Sequence, residues 1–79
     1  MPKEIKYEIV KNIGTLATNK TGWTKEVNII KWNDGKAKLD IRDWGPDREK
    51  VGKGITLNSE EVAILKALLE DYDPEEAEA

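Results

Sequence analysis

An α+β fold, with a four-stranded antiparallel sheet followed by one C-terminal helix, follows from three observations on this chain. It opens with a long alternation of apolar and polar residues, it places Asp34-Gly35 between two β-rich stretches, and a capped amphipathic pattern begins only after Leu57. Its 79 residues allow one small domain, read as residues 1–73, with an acidic tail over 74–79 expected to be disordered.

Each element has a local reason. Ile5, Tyr7, Ile9, Lys11 and Ile13 alternate with Lys6, Glu8, Val10 and Asn12, which predicts a first strand to about Thr18 with a bulge or bend at Gly14. Asn19-Lys20-Thr21-Gly22 is a turn by composition, and β-branched and aromatic residues from Trp23 to Asn33 predict a second strand. Asp34-Gly35 tolerates the positive φ of a two-residue type I′ turn, so a third strand runs from Lys36 to about Trp44. Gly45-Pro46-Asp47 breaks it, a polar loop extends through Gly52, and Gly54 to Leu57 form a short fourth strand. Asn58 with Glu61 three residues later makes a capping box. The stripe Val62, Leu65, Leu68, Leu69 and Tyr72 is an amphipathic helix, and Ile64 widens it enough to serve a subunit contact as well as a core. Asp73-Pro74 ends the helix.

Composition narrows the function. There is no His, Cys or Phe, so disulfides and a His/Cys zinc site are excluded as staples of a marginal core, and oligomerisation is the remaining remedy. No cofactor or metal is expected, and the acids near the C-terminus read as a solvated helix end, so an enzyme is not expected. No apolar run approaches the roughly 18 residues of a membrane span, and the N-terminus passes into strand alternation with no signal-peptide core. A cytoplasmic location is expected. The net charge of −3 is segregated: residues 1–19 carry +1, residues 20–53 carry +3 and residues 54–79 carry −7, so the body of the chain is basic.

Counting outwards from a two-residue turn pairs Asn33 with Lys36, Lys31 with Lys38, Ile29 with Asp40, Val27 with Arg42 and Lys25 with Trp44. That register gathers Lys25, Lys31, Lys36, Lys38, Arg42, Trp23 and Trp44 on one face. It turns Asn28, Ile30, Trp32, Ala37, Leu39 and Ile41 toward the helix. Cations capture phosphates and flat rings receive unstacked bases, so the first face suits a nucleic-acid strand. The blander readings are that Trp23 and Trp44 cover loops, that Trp32 is core, that lysines merely solvate a strand, and that Val27 and Ile29 are buried or lie at a dimer contact.

The segment Leu39-Asp40-Ile41-Arg42-Asp43-Trp44-Gly45-Pro46-Asp47, followed by Gly52-Lys53-Gly54-Ile55-Thr56-Leu57-Asn58-Ser59-Glu60-Glu61, resembles the Positive Cofactor Four transcriptional coactivator family. It is most similar to the bacterial YdbC-like branch, which shares a Gly-Trp turn like Gly22-Trp23, a turn like Trp32-Asn33-Asp34 and an Ile-Arg-x-Trp strand like Ile41 to Trp44. The resemblance covers about residues 22–72. It implies a curved β-β-β-β-α subunit that forms a homodimer through helices and sheets and binds single-stranded DNA with little sequence preference. Matching positions for family contacts are Lys36, Arg42, Trp44 and Lys53. The chain departs from the family in three ways: it has no Ser- and Lys-rich N-terminal tail, the loop from Gly45 to Val51 is shorter, and a second aromatic beside Trp44 is missing, for which Trp23 is the candidate replacement.

The function expected is sequence-independent binding of single-stranded DNA, with RNA open, in transcription regulation or DNA maintenance. The expected site is Trp23, Lys25, Lys31, Lys36, Lys38, Arg42, Trp44 and Lys53. The expected partners are a second copy of the chain and the transcription machinery, in a nucleoid-associated protein. The alternative is a dimeric protein-interaction module in which the tryptophans and Val27/Ile29 meet protein and the acidic tail meets a basic partner.

Overall fold

The computed structural model describes residues 6–48 and 50–78. Strands β1 (Tyr7–Thr18), β2 (Thr24–Trp32), β3 (Ala37–Trp44) and β4 (Val51–Leu57) form one antiparallel sheet in chain order, followed by helix α1 (Ser59–Glu70). Ile5, expected in the first strand, lies outside the described residues. Strand β4 starts at Val51, so the expected polar loop ends earlier, and Pro74–Glu78 form a short 3₁₀ helix.

The central hairpin corrects the expected register by one residue. Gly35 N–H donates to the Trp32 carbonyl at 3.0 Å, and Asn33, not Gly35, takes positive φ, at 54°. The turn is therefore centred on Asn33-Asp34. Asn33 is held there from outside the hairpin, because its backbone N–H donates to the Lys6 carbonyl while its Oδ1 accepts from Lys6 N–H at 3.2 Å. Asn tolerates this backbone conformation, so anchoring to Lys6, just before β1, decides which residue occupies it. Thr24 then pairs with Trp44, Glu26 with Arg42, Asn28 with Asp40 and Ile30 with Lys38. A slip of one exchanges the faces of one strand relative to the other.

The two faces consequently differ from the expected ones. Val27 and Ile29 share a side with Leu39 and Ile41, and the pairs Leu39/Leu57 and Ile41/Ile55 extend it onto β4. This is the helix face, since Val62 joins Ile29, Leu39 and Leu57 around one groove, and Ile64 and Leu65 join Ile55 and Leu57 around another. Asn28, Ile30 and Trp32, expected there, lie on the opposite side. On that side Ile30, Trp44, Glu26, Asn28 and Asp40 are buried.

Strand β1 stretches against β2 with three register shifts, between Ile9 and Lys11, Asn12 and Gly14, and Thr15 and Ala17. The residues skipped are Val10, Ile13 and Leu16, all apolar and all at least half exposed. Bulges recurring every third residue increase local twist and re-aim side chains. Ile13 lines the helix-face groove with Ile29, Leu39 and Val62.

Helix α1 begins as expected. Glu61 N–H donates to Asn58 Oδ1 at 2.8 Å and Asn58 N–H donates to Glu61 Oε1 at 2.9 Å, so both partners satisfy a donor that the helix cannot. No α1 residue is fully buried: Val62 and Leu65 are half-buried, while Ile64, Leu68 and Leu69 are exposed, Leu68 to 69%. The subunit covers only one edge of its helix stripe.

Candidate functional site

On the sheet side opposite α1, cations and aromatic rings meet over a floor of buried polar groups. Asp40, fully buried, accepts from Arg42 Nε at 2.7 Å, Arg42 Nη2 at 2.9 Å and the Thr56 hydroxyl at 2.9 Å. Arg42 Nη1 also donates to the Gly52 carbonyl at 3.2 Å, which ties β3 to the start of β4. Glu26 accepts from Arg48 Nη1 at 2.7 Å, Thr24 Oγ1 at 2.7 Å and Asn28 Nδ2 at 3.3 Å, and Asn28 Oδ1 accepts from Asn12 Nδ2 at 2.6 Å. A charge held out of water survives only when it is paired and hydrogen-bonded, and both carboxylates meet that condition.

The rings lie among these groups. Tyr7 stands 5.5 Å from both Trp32 and Trp44, tilted to each. The Arg42 guanidinium lies 4.8 Å from the Trp32 ring centre, and that of Arg48 lies 4.9 Å from the Trp44 ring centre. Both distances are within cation–π range. The register creates this cluster, because it puts Trp32 and Arg42 on one side and Tyr7 opposite Trp32.

The expected site residues are divided by the sheet. Arg42, Trp44 and Lys38 belong to the side just described, and Lys36 is exposed at the hairpin end. Lys25 and Lys53 are on the helix side, where they flank a groove floored by Ile41 and Ile55 with Asp43 beside them. Lys31 pairs with Ala37 at the far end of that side. Trp23 lies over Gly52, so close that a Cβ there would come within 3.1 Å of its ring. The expected Trp23/Trp44 platform therefore does not form, since consecutive positions Trp23 and Thr24 point to opposite sides and it is Thr24 that pairs with Trp44. Trp44 is moreover 0% exposed, beneath Arg48 and beside Tyr7, so in this state its ring offers no surface to a base.

Sequence reasoning missed Tyr7, Trp32 and Arg48 as members of the cluster. Tyr7 and Trp32 were legible as alternating strand residues, and the correct register would have placed them beside Arg42. Arg48 carried no signal, because it projects from an irregular loop closed by Gly45 N–H on the Lys50 carbonyl at 2.9 Å.

Arg48 bonded to Glu26 holds that carboxyl below its ordinary value of 4.5, against the opposing effect of burial, with Thr24 and Asn28 adding to the lowering. A depressed carboxylate stabilises the fold above its unfolded value, and that contribution disappears as pH falls through the folded one. Glu26→Gln should therefore lower the urea midpoint at pH 7, and the gap to the parent should narrow as pH falls below the ordinary carboxylate range, modestly because the Arg48 side chain is 46% exposed. A gap that stays constant with pH would contradict the assignment.

Among the described residues no group of three or more His, Cys, Asp or Glu could hold a metal ion, and no helix is long and apolar enough to cross a membrane. Residues 19–68 match the family described as Transcriptional Coactivator p15 (PC4), a span that contains β2, β3, β4 and most of α1. An uncharacterized protein of Treponema pallidum (strain Nichols) is 48% identical over 63 residues, which cover 80% of this chain and 74% of that one.

Proposed function

Because the chain belongs to the Transcriptional Coactivator p15 (PC4) family, a non-catalytic family, we propose that it binds single-stranded DNA without a base-sequence code. The observation that carries this reading is the pair of guanidinium groups, Arg42 and Arg48, seated on tryptophan rings with Tyr7 between them. Phosphates are drawn to the guanidinium groups and to Lys36 and Lys38, and unstacked bases meet Tyr7 and Trp32. Lys53, Lys25 and Trp23 lie across the β4 edge from Arg42, where Gly52 and Gly54 leave the strand without side chains. A flexible strand bending around that edge reaches both groups. A duplex cannot, because its bases are already stacked. Lys31, remote on the helix side, adds charge but no contact.

The working unit we propose is a homodimer. Val10, Ile13, Leu16, Ile64, Leu68 and Leu69 expose more apolar side chain than a lone small subunit ordinarily leaves in water, and a second copy would cover it. Within the family we place the chain in the bacterial YdbC-like branch, on its Gly22-Trp23, Trp32-Asn33-Asp34 and Ile41–Trp44 segments, and in the cytoplasm with the nucleoid, in transcription regulation or DNA maintenance. The same exposed apolar surface also favours a second reading, a dimeric protein-interaction module.

A tryptophan-quenching titration with an oligothymidylate separates the two. Binding at low salt should weaken with added salt along a log–log slope of about −0.7 per phosphate neutralised, and a duplex of equal length should bind more weakly. Absence of quenching at low salt would leave the interaction module standing.

A further inference from the structure

Arg48 covers a tryptophan ring on the candidate face. Its guanidinium lies 4.9 Å from the centre of the Trp44 ring, and that ring is 0% exposed although it belongs to the face that carries the cations. The side chain is held at its far end by Glu26 at 2.7 Å. The grip is unequal: the Arg48 side chain is 46% exposed, while Glu26 is anchored in the sheet, 5% exposed and bonded to Thr24 and Asn28. Two further features belong to the same cluster. Arg48 sits at a φ of 62°, a conformation that residues with a Cβ rarely adopt, in a loop closed on Gly45. Trp44 Nε1, like Trp32 Nε1, is buried with no hydrogen-bond partner, so the packed cluster leaves both indole donors unsatisfied.

We propose that Arg48 is a displaceable cover on Trp44, latched by Glu26, and that a nucleic-acid phosphate opens it by competing with Glu26 for the guanidinium. A flat cation stacked on an indole stands in for a base, and a phosphate offers that cation the same bidentate acceptor geometry as a carboxylate. Drawing Arg48 off the ring therefore couples phosphate capture to the uncovering of a stacking surface. Trp44 becomes a contact only in the bound state, and Arg48 acts as a positioning residue for it.

This inference rests on the nucleic-acid reading above, and its test is built to fail separately. The full chain and Glu26→Gln, which keeps the size and hydrogen-bonding capacity of the side chain but loses the ionic latch, are titrated at one ionic strength with an oligothymidylate and with an abasic deoxyribose-phosphate oligomer of equal length. Releasing the latch removes a conformational penalty on binding, so Glu26→Gln should tighten oligothymidylate binding by about 3–10-fold and the abasic oligomer by distinctly less. In 5-fluorotryptophan-labelled protein, the Trp44 resonance, assigned by its loss in Trp44→Phe, should show a larger solvent-isotope shift in free Glu26→Gln than in the parent. Equal tightening of both oligomers would mean that only the lost negative charge matters, and would overturn the cover. An unchanged Trp44 resonance in the variant would do the same. Failure of the parent to bind either oligomer overturns the nucleic-acid reading and this inference with it.

Discussion

Alanine at position 54 should break the pairing of β3 with β4. A Cβ built on Gly54 collides with Arg42 Cβ and the Ile41 carbonyl oxygen and lies 2.6 Å from Arg42 Cα, so the obstacle is strand backbone and cannot swing aside. Relief requires moving the two strands apart. That would release the Arg42 bond to the Gly52 carbonyl and the Thr56 bond to Asp40, and unseat the platform under α1. The expected loss is about 4 kcal/mol or more, at the extreme of single substitutions. Gly14→Ala is the matched control: its Cβ meets nothing within 4 Å, so its urea midpoint should stay within about 0.5 kcal/mol of the parent. Equal behaviour of the two variants would show that β4 does not approach β3 as described.

Arg42→Ala is expected to cost nearly as much, by a different route. Asp40 has no exposed surface, and two of the three hydrogen bonds its carboxylate accepts from the described residues come from Arg42. Removing the arginine leaves a buried carboxylate whose remaining donor among the described residues is Thr56, a loss of about 3 kcal/mol for an uncompensated charge. Adding Asp40→Asn should recover part of it, since a neutral amide is far cheaper to bury than a lone carboxylate. Denaturation of the single and double variants checks this, and additive losses in the double variant would refute the pairing. The stabilised double variant also separates folding from binding. On the proposed function it should bind oligothymidylate more weakly than the parent, because it still lacks the Arg42 cation.

These two expectations meet at one place in the sheet. Gly54 faces Arg42 across the β3–β4 ladder, and Arg42 reaches from that pair to Trp32 on one side and Asp40 on the other. The glycine that lets the strands close and the arginine that fills the space above them form one arrangement. A mutation at either position is thus expected to disturb both stability and the candidate interface.

What could be read from the residues themselves was whatever depends on neighbours in the chain. The order of four strands and one helix, the cap of Asn58 and Glu61 and the family resemblance around Leu39–Glu61 all rest on alternation, helical period or short motifs, whereas the helix stops at Glu70, short of the expected Asp73-Pro74, and leaves Tyr72 outside it. Arg42 was identified as a functional candidate by the same means. The side of the sheet on which each residue sits was decided by tertiary structure, because period-2 alternation says which residues share a face within one strand and nothing about how two strands are phased. That phase depended on Asn33, which Lys6, just before β1, holds in the turn, a partner 27 residues away. The shift of one residue separated Lys25 and Lys31 from Arg42, and brought Trp32 and Tyr7 to it. Burial was likewise beyond local pattern. Trp44 carries the same side chain whether covered or free, and what covers it is Arg48, from a loop whose course no periodicity records.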